Sequence, residues 1–252
     1  MGFEGKSKRL RERVKLALPV RVHCRETAGH DWVEMSRLID VTPFGARFSL
    51  TRPVERGRLL HLILPMPRQL RCFDHVEDQY RIWALVRSLA ARPQGGAGGE
   101  GLLVRYEVGV AFTGKNPPAS YLRDPATRYD IESLSTEGGV LWKTRETEEP
   151  GAAGVRSEKT RLKVAAAVRI ELFGADGRVS ASEETVTENI SRRGAAVWTT
   201  LKAERGRFVR VTNMETGQSL TAAVRAARTG PDGIPRLHME FIDGEWPLEG
   251  IE

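Results

Sequence analysis

The chain has 252 residues, of which 40% are hydrophobic and 29% charged, and its formal net charge is +6 at pH 7. This composition excludes a wholly disordered or collagen-like chain, and the length allows either one large barrel or two small domains. The positive charge favours an anionic partner, such as a nucleotide, a nucleic acid or lipid head groups.

No apolar run approaches the roughly 18 residues that a membrane-spanning helix needs. The basic start of the chain is not followed by the apolar stretch of a signal peptide, so we expect a cytoplasmic protein. Cys24 and Cys72 lack the spacing of a metal site, and so do the histidines, which predicts reduced thiols and no metal or cofactor. No catalytic motif is present in the sequence, so an enzyme is not expected.

In chain order, short runs rich in β-branched and aromatic residues alternate with glycine, proline or polar turns. In the first half they lie at 17–24, 33–40, 45–50, 58–64, 80–89 and 103–112. In the second half they lie at 164–173, 179–189, 194–200, 206–213, 219–228 and 235–242. Six short strands without crossover helices predict a small antiparallel barrel, which closes its own edges.

Three blocks of the first half recur in the second half at a nearly constant spacing. The run VERGRLLHL at 54–62 corresponds to AERGRFVRV at 203–211. Asp40 to Ala46 corresponds to Asn189 to Ala195 at the same spacing, and Arg13 with the strand after it corresponds to Arg161. Blocks repeated in one order indicate a duplication.

The duplication predicts an all-β chain of two six-stranded antiparallel barrels in tandem. We place the first domain at 6–114 and the second at 156–243. Residues 115–155 are polar and rich in proline and glycine, which is typical of a linker. Within this linker, 118–129 can form a short helix that Pro125 limits.

A basic segment precedes the first strand and contains Arg9 and Arg13, four residues apart. A polar motif, Asp40-x-Thr42-x-x-Gly45, follows a later strand. By themselves, the basic segment is typical of a solvated tail and the polar motif of a turn, because Asp, Thr, Pro and Gly all favour turns.

Together with the closing Gly-Val-Ala-Phe run at 109–112, these motifs resemble the PilZ domain family. The resemblance implies a barrel that binds the bacterial second messenger cyclic di-GMP, with an arginine arm folding over the nucleotide. The first copy departs from the family pattern by having Thr42 in place of serine. The second copy keeps four matching residues but has Ser157 where Arg9 would match, which implies either a retained structural turn or a weakened, degenerate site. Those four residues are Arg161, Asn189, Ser191 and Gly194.

The residue types suit this ligand. An arginine fork grips a phosphate or a guanine edge with two hydrogen bonds, as Arg9 and Arg13 would do. Asp40 can accept hydrogen bonds from guanine N1 and N2, Thr42 can donate or accept, and Gly45 lets the backbone approach closely.

The sequence therefore predicts a non-catalytic cyclic di-GMP receptor that relays binding to an unidentified downstream protein by ordering its basic arm. One alternative is a nucleotide-independent interaction module with the same fold. Another is a nucleic-acid-binding protein that uses the basic arm, in which case binding would depend on salt. The sequence is also compatible with a homodimer. Alternatively, the two copies within one chain could take the place of the two subunits of a dimer.

Overall fold

The computed structural model describes residues 14–94, 103–136, 139–147, 162 and 164–248. Six antiparallel strands form a first closed barrel, in the order β1-β2-β3-β6-β5-β4. These strands are β1 (Pro19–Arg25), β2 (Asp31–Thr42), β3 (Gly45–Leu50), β4 (Leu59–Leu64), β5 (Tyr80–Gln94) and β6 (Leu103–Gly114). Alternate residues face inward, so that Val20, Val22 and Cys24 of β1 are completely buried.

The segment between the barrels contains more structure than the predicted linker. A short helix, α1 (Ala119–Arg123), lies within the range expected for one, but the sequence reading missed a hairpin of β7 (Tyr129–Thr136) and β8 (Gly139–Glu146). Tyr129 and Tyr121 cover Leu59 and Leu85 on the outside of the first barrel. Since this hairpin is stabilised by packing against a distant strand pair, its own short polar sequence gives little signal.

The second half forms another closed barrel, in the order β10-β11-β14-β13-β12-β9. Its strands are β9 (Ala167–Phe173), β10 (Val179–Ser191), β11 (Gly194–Trp198), β12 (Phe208–Asn213), β13 (Ser219–Thr229) and β14 (Pro235–Phe241). The prediction of two six-stranded antiparallel barrels is therefore confirmed. The domain limits at 6–114 and 156–243 include residues outside the described ranges and stay predictions.

The repeated Glu-Arg-Gly-Arg turn brings the two barrels into contact. Arg58 is completely buried and donates hydrogen bonds to the carbonyl oxygens of Glu26 (3.1 Å), Pro125 (3.0 Å) and Gly206 (3.1 Å). It also donates to the Glu55 carboxylate at 2.7 Å. One guanidinium thus joins the first barrel, the connecting segment and the second barrel.

Further charged groups surround this contact. The Glu55 carboxylate also accepts from Arg225 of the second barrel at 3.2 Å, and Glu26 accepts from Arg207 at 3.1 Å. Burial alone would raise the pKa of Glu55, but Arg58 and Arg225 outweigh it and lower the pKa to about 2. Glu55 is therefore ionised and paired, and its pairing offsets the cost of removing it from water, whereas burial raises the pKa of Glu26 despite Arg207.

Cys24 and Cys72 are both free thiols, and burial raises the pKa of each. Within the described ranges, no group of three or more potential ligand side chains is placed to hold a metal ion. In the same part of the chain, no helix is long and apolar enough to cross a membrane.

Candidate functional site

The Asp40-x-Thr42-x-x-Gly45 motif forms the turn between β2 and β3 of the first barrel. Thr42 and Gly45 are the last paired residues of this hairpin. The Thr42 hydroxyl accepts a hydrogen bond from the Phe44 amide at 3.2 Å and lies 3.4 Å from the Gly45 carbonyl oxygen. Thr42 thus stabilises the turn through local side-chain hydrogen bonding, a role that its hydroxyl would share with serine.

Gly45 is required because β6 approaches it closely. A Cβ atom at this position would lie 2.2 Å from the carbonyl oxygen of Val110, and Gly194 of the second barrel has the same relation to Met239, at 2.3 Å. The two motif glycines therefore share a steric role, which is to let the hairpin lie against the closing strand.

We expect Gly45→Ala to lower the free energy of unfolding by about 1–3 kcal/mol, because backbone rather than a movable side chain blocks the added methyl group. Gly29→Ala is the matched control, since Gly29 has no atom within 4 Å of the position of its Cβ. Urea denaturation of both variants measures the difference. Equal unfolding midpoints for the two variants would contradict the steric role.

The Asp40 carboxylate lies beside this turn and is paired with Arg47. Asp40 is only 5% exposed, and its Oδ2 accepts hydrogen bonds from Arg47 Nε at 2.9 Å and Nη2 at 2.6 Å. The third nitrogen of the fork, Nη1, donates to Glu107 of β6 at 2.6 Å. The hydrogen bond to Asp40 raises the pKa of Arg47. The Arg47 guanidinium of β3 thus binds one carboxylate on each of the two strands that flank it, Asp40 on β2 and Glu107 on β6.

Sequence reasoning missed Arg47, although the hairpin register contained the signal. Once Thr42 is placed opposite Gly45, the antiparallel ladder places Asp40 opposite Arg47, as observed. Opposite charges on such a pair stabilise the hairpin. A buried aspartate at this place therefore indicates a cationic partner across the strand.

The chain that precedes β1 is bound to β2 next to Asp40. Val14 and Val41 exchange two backbone hydrogen bonds of 3.0 Å, so Val14 pairs with the residue between Asp40 and Thr42. Arg9 and Arg13 themselves lie outside the described residues. The structure therefore shows where the basic segment joins the barrel, since Arg13 directly precedes Val14 in the sequence.

The second barrel repeats this arrangement without its charges. Leu162 pairs with Ile190 as Val14 does with Val41, and the Ser191 hydroxyl donates to the Gly194 carbonyl at 3.1 Å. Asn189 faces Ala196, the counterpart of Arg47. Within the described part of the chain, the buried Oδ1 of Asn189 has no hydrogen-bond partner. Arg161 lies outside the described residues.

The structure therefore brings together three of the five residues predicted for the first site, Asp40, Thr42 and Gly45. It likewise places Asn189, Ser191 and Gly194 around the equivalent turn of the second barrel. The counterparts of Asp40 and Arg47 are a neutral amide and a methyl group, so only the first turn presents a buried carboxylate.

Comparisons with known proteins give no family match. No protein-family model and no curated protein sequence matches the chain. Among solved structures, the chain is similar to the Bacillus subtilis inhibitor of motility, MotI/DgrA, with 13% identity and a TM-score of 0.29, covering 92% of this chain and 90% of that one.

Two further structures contain cyclic di-GMP. The Borreliella burgdorferi PlzA protein in complex with c-di-GMP has 9% identity and a TM-score of 0.26, covering 94% of this chain and 90% of that one. Escherichia coli YcgR in complex with c-di-GMP has 12% identity and a TM-score of 0.26, with 90% and 76% covered. At these identities and scores the likeness transfers no property of those proteins to this chain.

Proposed function

We propose that this chain is a receptor for cyclic di-GMP that binds the nucleotide at the Asp40–Gly45 turn of the first barrel. The observation that carries the proposal is the bridge between Val14 and Val41. It joins the basic segment containing Arg9 and Arg13 to the strand that carries the buried Asp40 carboxylate. The Asp40–Gly45 turn and the closing run at 109–112 therefore lie on adjacent strands, and Val14, the residue after Arg13 in the sequence, pairs with the same turn-entering strand.

The chemistry of these groups suits a cyclic dinucleotide with two phosphates and two guanines. Arg9 and Arg13 supply planar cationic forks for phosphate oxygens and guanine edges. Asp40 supplies an acceptor for the N1 and N2 donors of guanine, and Thr42 adds a hydroxyl. Because no bond of the nucleotide needs to break in this role, the proposal is a binding and not a catalytic function.

Binding would act through the basic segment. A short charged segment loses conformational entropy when a ligand orders it. In exchange it presents a new surface to a downstream protein, so nucleotide binding shifts the population of the form that this partner recognises.

Isothermal titration of the full chain tests the proposal, with cyclic di-AMP as the matched ligand. We expect saturable binding of cyclic di-GMP and at least about tenfold weaker binding of cyclic di-AMP. Adenine lacks the N2 donor of guanine, so Asp40 would lose hydrogen bonds worth about 1.5–3 kcal/mol. Equal affinity for the two dinucleotides would remove Asp40 from the proposed contacts, and no heat from a folded protein would contradict the receptor function.

A second candidate function is a nucleotide-independent interaction module. Its support is that Asp40, Arg47 and Glu107 already satisfy one another without a ligand. In addition, the outer face of β2 exposes the apolar side chains of Val33 (42%), Met35 (66%) and Ile39 (38%), with Arg37 also exposed on that face. The titration discriminates between the candidates, since a folded protein that binds no dinucleotide would favour this one.

A further inference from the structure

In the first barrel, the connection between β4 and β5 contacts the candidate binding turn. This connection spans residues 65–79. The thiol of Cys72 donates a hydrogen bond to the carbonyl oxygen of Pro43, with a sulfur–oxygen distance of 2.8 Å. The next carbonyl, that of Phe44, accepts from the amide of Phe112 at 2.8 Å. Both central carbonyls of the turn are therefore held from outside the hairpin.

A buried arginine fixes the connection that carries Cys72. Arg71 is 5% exposed and donates to the carbonyl oxygens of Met66 at 2.8 Å and Asp78 at 2.9 Å, close to the two ends of the connection. Its guanidinium also lies over the ring of Tyr80, 5.2 Å from the ring centre. Because Arg71 joins the two ends, the adjacent thiol is held at a defined position against the turn.

The second barrel holds the equivalent carbonyl by different means. Its β12–β13 connection is only 214–218 and does not contain a counterpart of Cys72. The carbonyl oxygen of Arg192, which corresponds to Pro43, accepts from the backbone amide of Trp246 at 2.9 Å. A thiol is a weaker donor than an amide. The two copies thus restrain the same atom of the turn, and the copy with the buried carboxylate does so through a cysteine.

We propose that Cys72 is a positioning residue for the ligand at the Asp40–Gly45 turn, an inference that rests on the proposed function. Its thiol restrains the Pro43 carbonyl so that Thr42 and Asp40, on the strand entering the turn, are presented in one arrangement. A binding turn that is already restrained loses less entropy when the ligand binds, which increases affinity.

The test compares Cys72→Ser, which keeps a donor at this position, with Cys72→Ala, which removes it. We expect Cys72→Ala to weaken cyclic di-GMP binding about fivefold, as for the loss of one modest hydrogen bond. We expect Cys72→Ser to bind within about twofold of the wild type. Equal weakening in both variants, or wild-type affinity in both, would overturn the inference, because neither outcome depends on the donor.

A second readout separates this inference from the proposed function. If the wild type does not bind cyclic di-GMP, the receptor proposal fails, and amide hydrogen exchange of the free protein decides the role of Cys72. Loss of the thiol contact should speed exchange of the Phe44 amide in Cys72→Ala but not in Cys72→Ser. Exchange of the Phe44 amide in Cys72→Ala that is no faster than in the wild type would show that the thiol does not restrain the turn.

Discussion

Arg58→Ala is expected to lower the free energy of unfolding by about 3–5 kcal/mol, because it removes one member of a buried charge cluster. The carbonyl oxygens of Glu26, Pro125 and Gly206 would lose a donor in a place that water does not reach. Glu55 would keep Arg225 as a partner but lose Arg58, whose charge is a main reason for its low pKa.

Arg56→Ala is the matched control for this variant. Arg56 lies two residues away in the same turn but is exposed, and such surface substitutions usually change stability by less than about 0.5 kcal/mol. Because Arg58 contacts both barrels, its loss should also reduce the cooperativity of their unfolding, while the Glu55–Arg225 and Glu26–Arg207 pairs remain. Denaturation followed by circular dichroism measures both effects. Unfolding curves of Arg58→Ala and Arg56→Ala that coincide would show that Arg58 does not join the barrels.

The barrels follow from the sequence because their signal is local. Alternating or continuous runs of apolar residues are visible in single segments, and β1 shows the alternation in the burial of Val20, Val22 and Cys24. The motif glycines are also predictable, since Gly45 and Gly194 occupy matched places in both copies. The close approach of Val110 and Met239 then supplies the reason.

The contact between the barrels does not follow from the sequence, although the repeated turn that makes it was recognised. Arg58 and Gly206 lie far apart in the chain, and their hydrogen bond exists only in one relative placement of two closed barrels. Local patterns contain no information on that placement. The same reason explains the missed hairpin of β7 and β8, which is stabilised by packing on Leu59 and Leu85.

The two barrels have the same backbone arrangement at this turn and different chemistry. Asn189 and Ala196 replace the pair Asp40 and Arg47, and the amide of Trp246 replaces the thiol of Cys72. The neutral amide of Asn189 needs no cation opposite it, so having Ala196 in place of an arginine leaves no charge unpaired. The second barrel therefore retains the turn but lacks the carboxylate that we propose as the acceptor for guanine N1 and N2, which predicts that the first copy dominates nucleotide binding.

Arg13→Ala is accordingly expected to abolish cyclic di-GMP binding while leaving the fold intact. Arg13 directly precedes Val14, whose pairing with Val41 lies between Asp40 and Thr42. Adjacent strands are about 4.8 Å apart, so a side chain at this point of the sequence has the reach to meet a ligand at the turn. Arg13→Lys should recover only part of the affinity, since an ammonium group lacks the two-pronged geometry of a guanidinium.

Two matched variants make this prediction specific. Lys15→Ala removes the same charge from an exposed residue two positions later, and Arg161→Ala removes the corresponding arginine of the second copy. Both should bind within about threefold of the wild type, as expected for changes that affect only long-range, screened attraction. Titration of the wild type and the four variants with cyclic di-GMP provides the comparison. If Arg13→Ala kept wild-type affinity, the site at the first turn would be wrong, and a loss confined to Arg161→Ala would move the site to the second barrel.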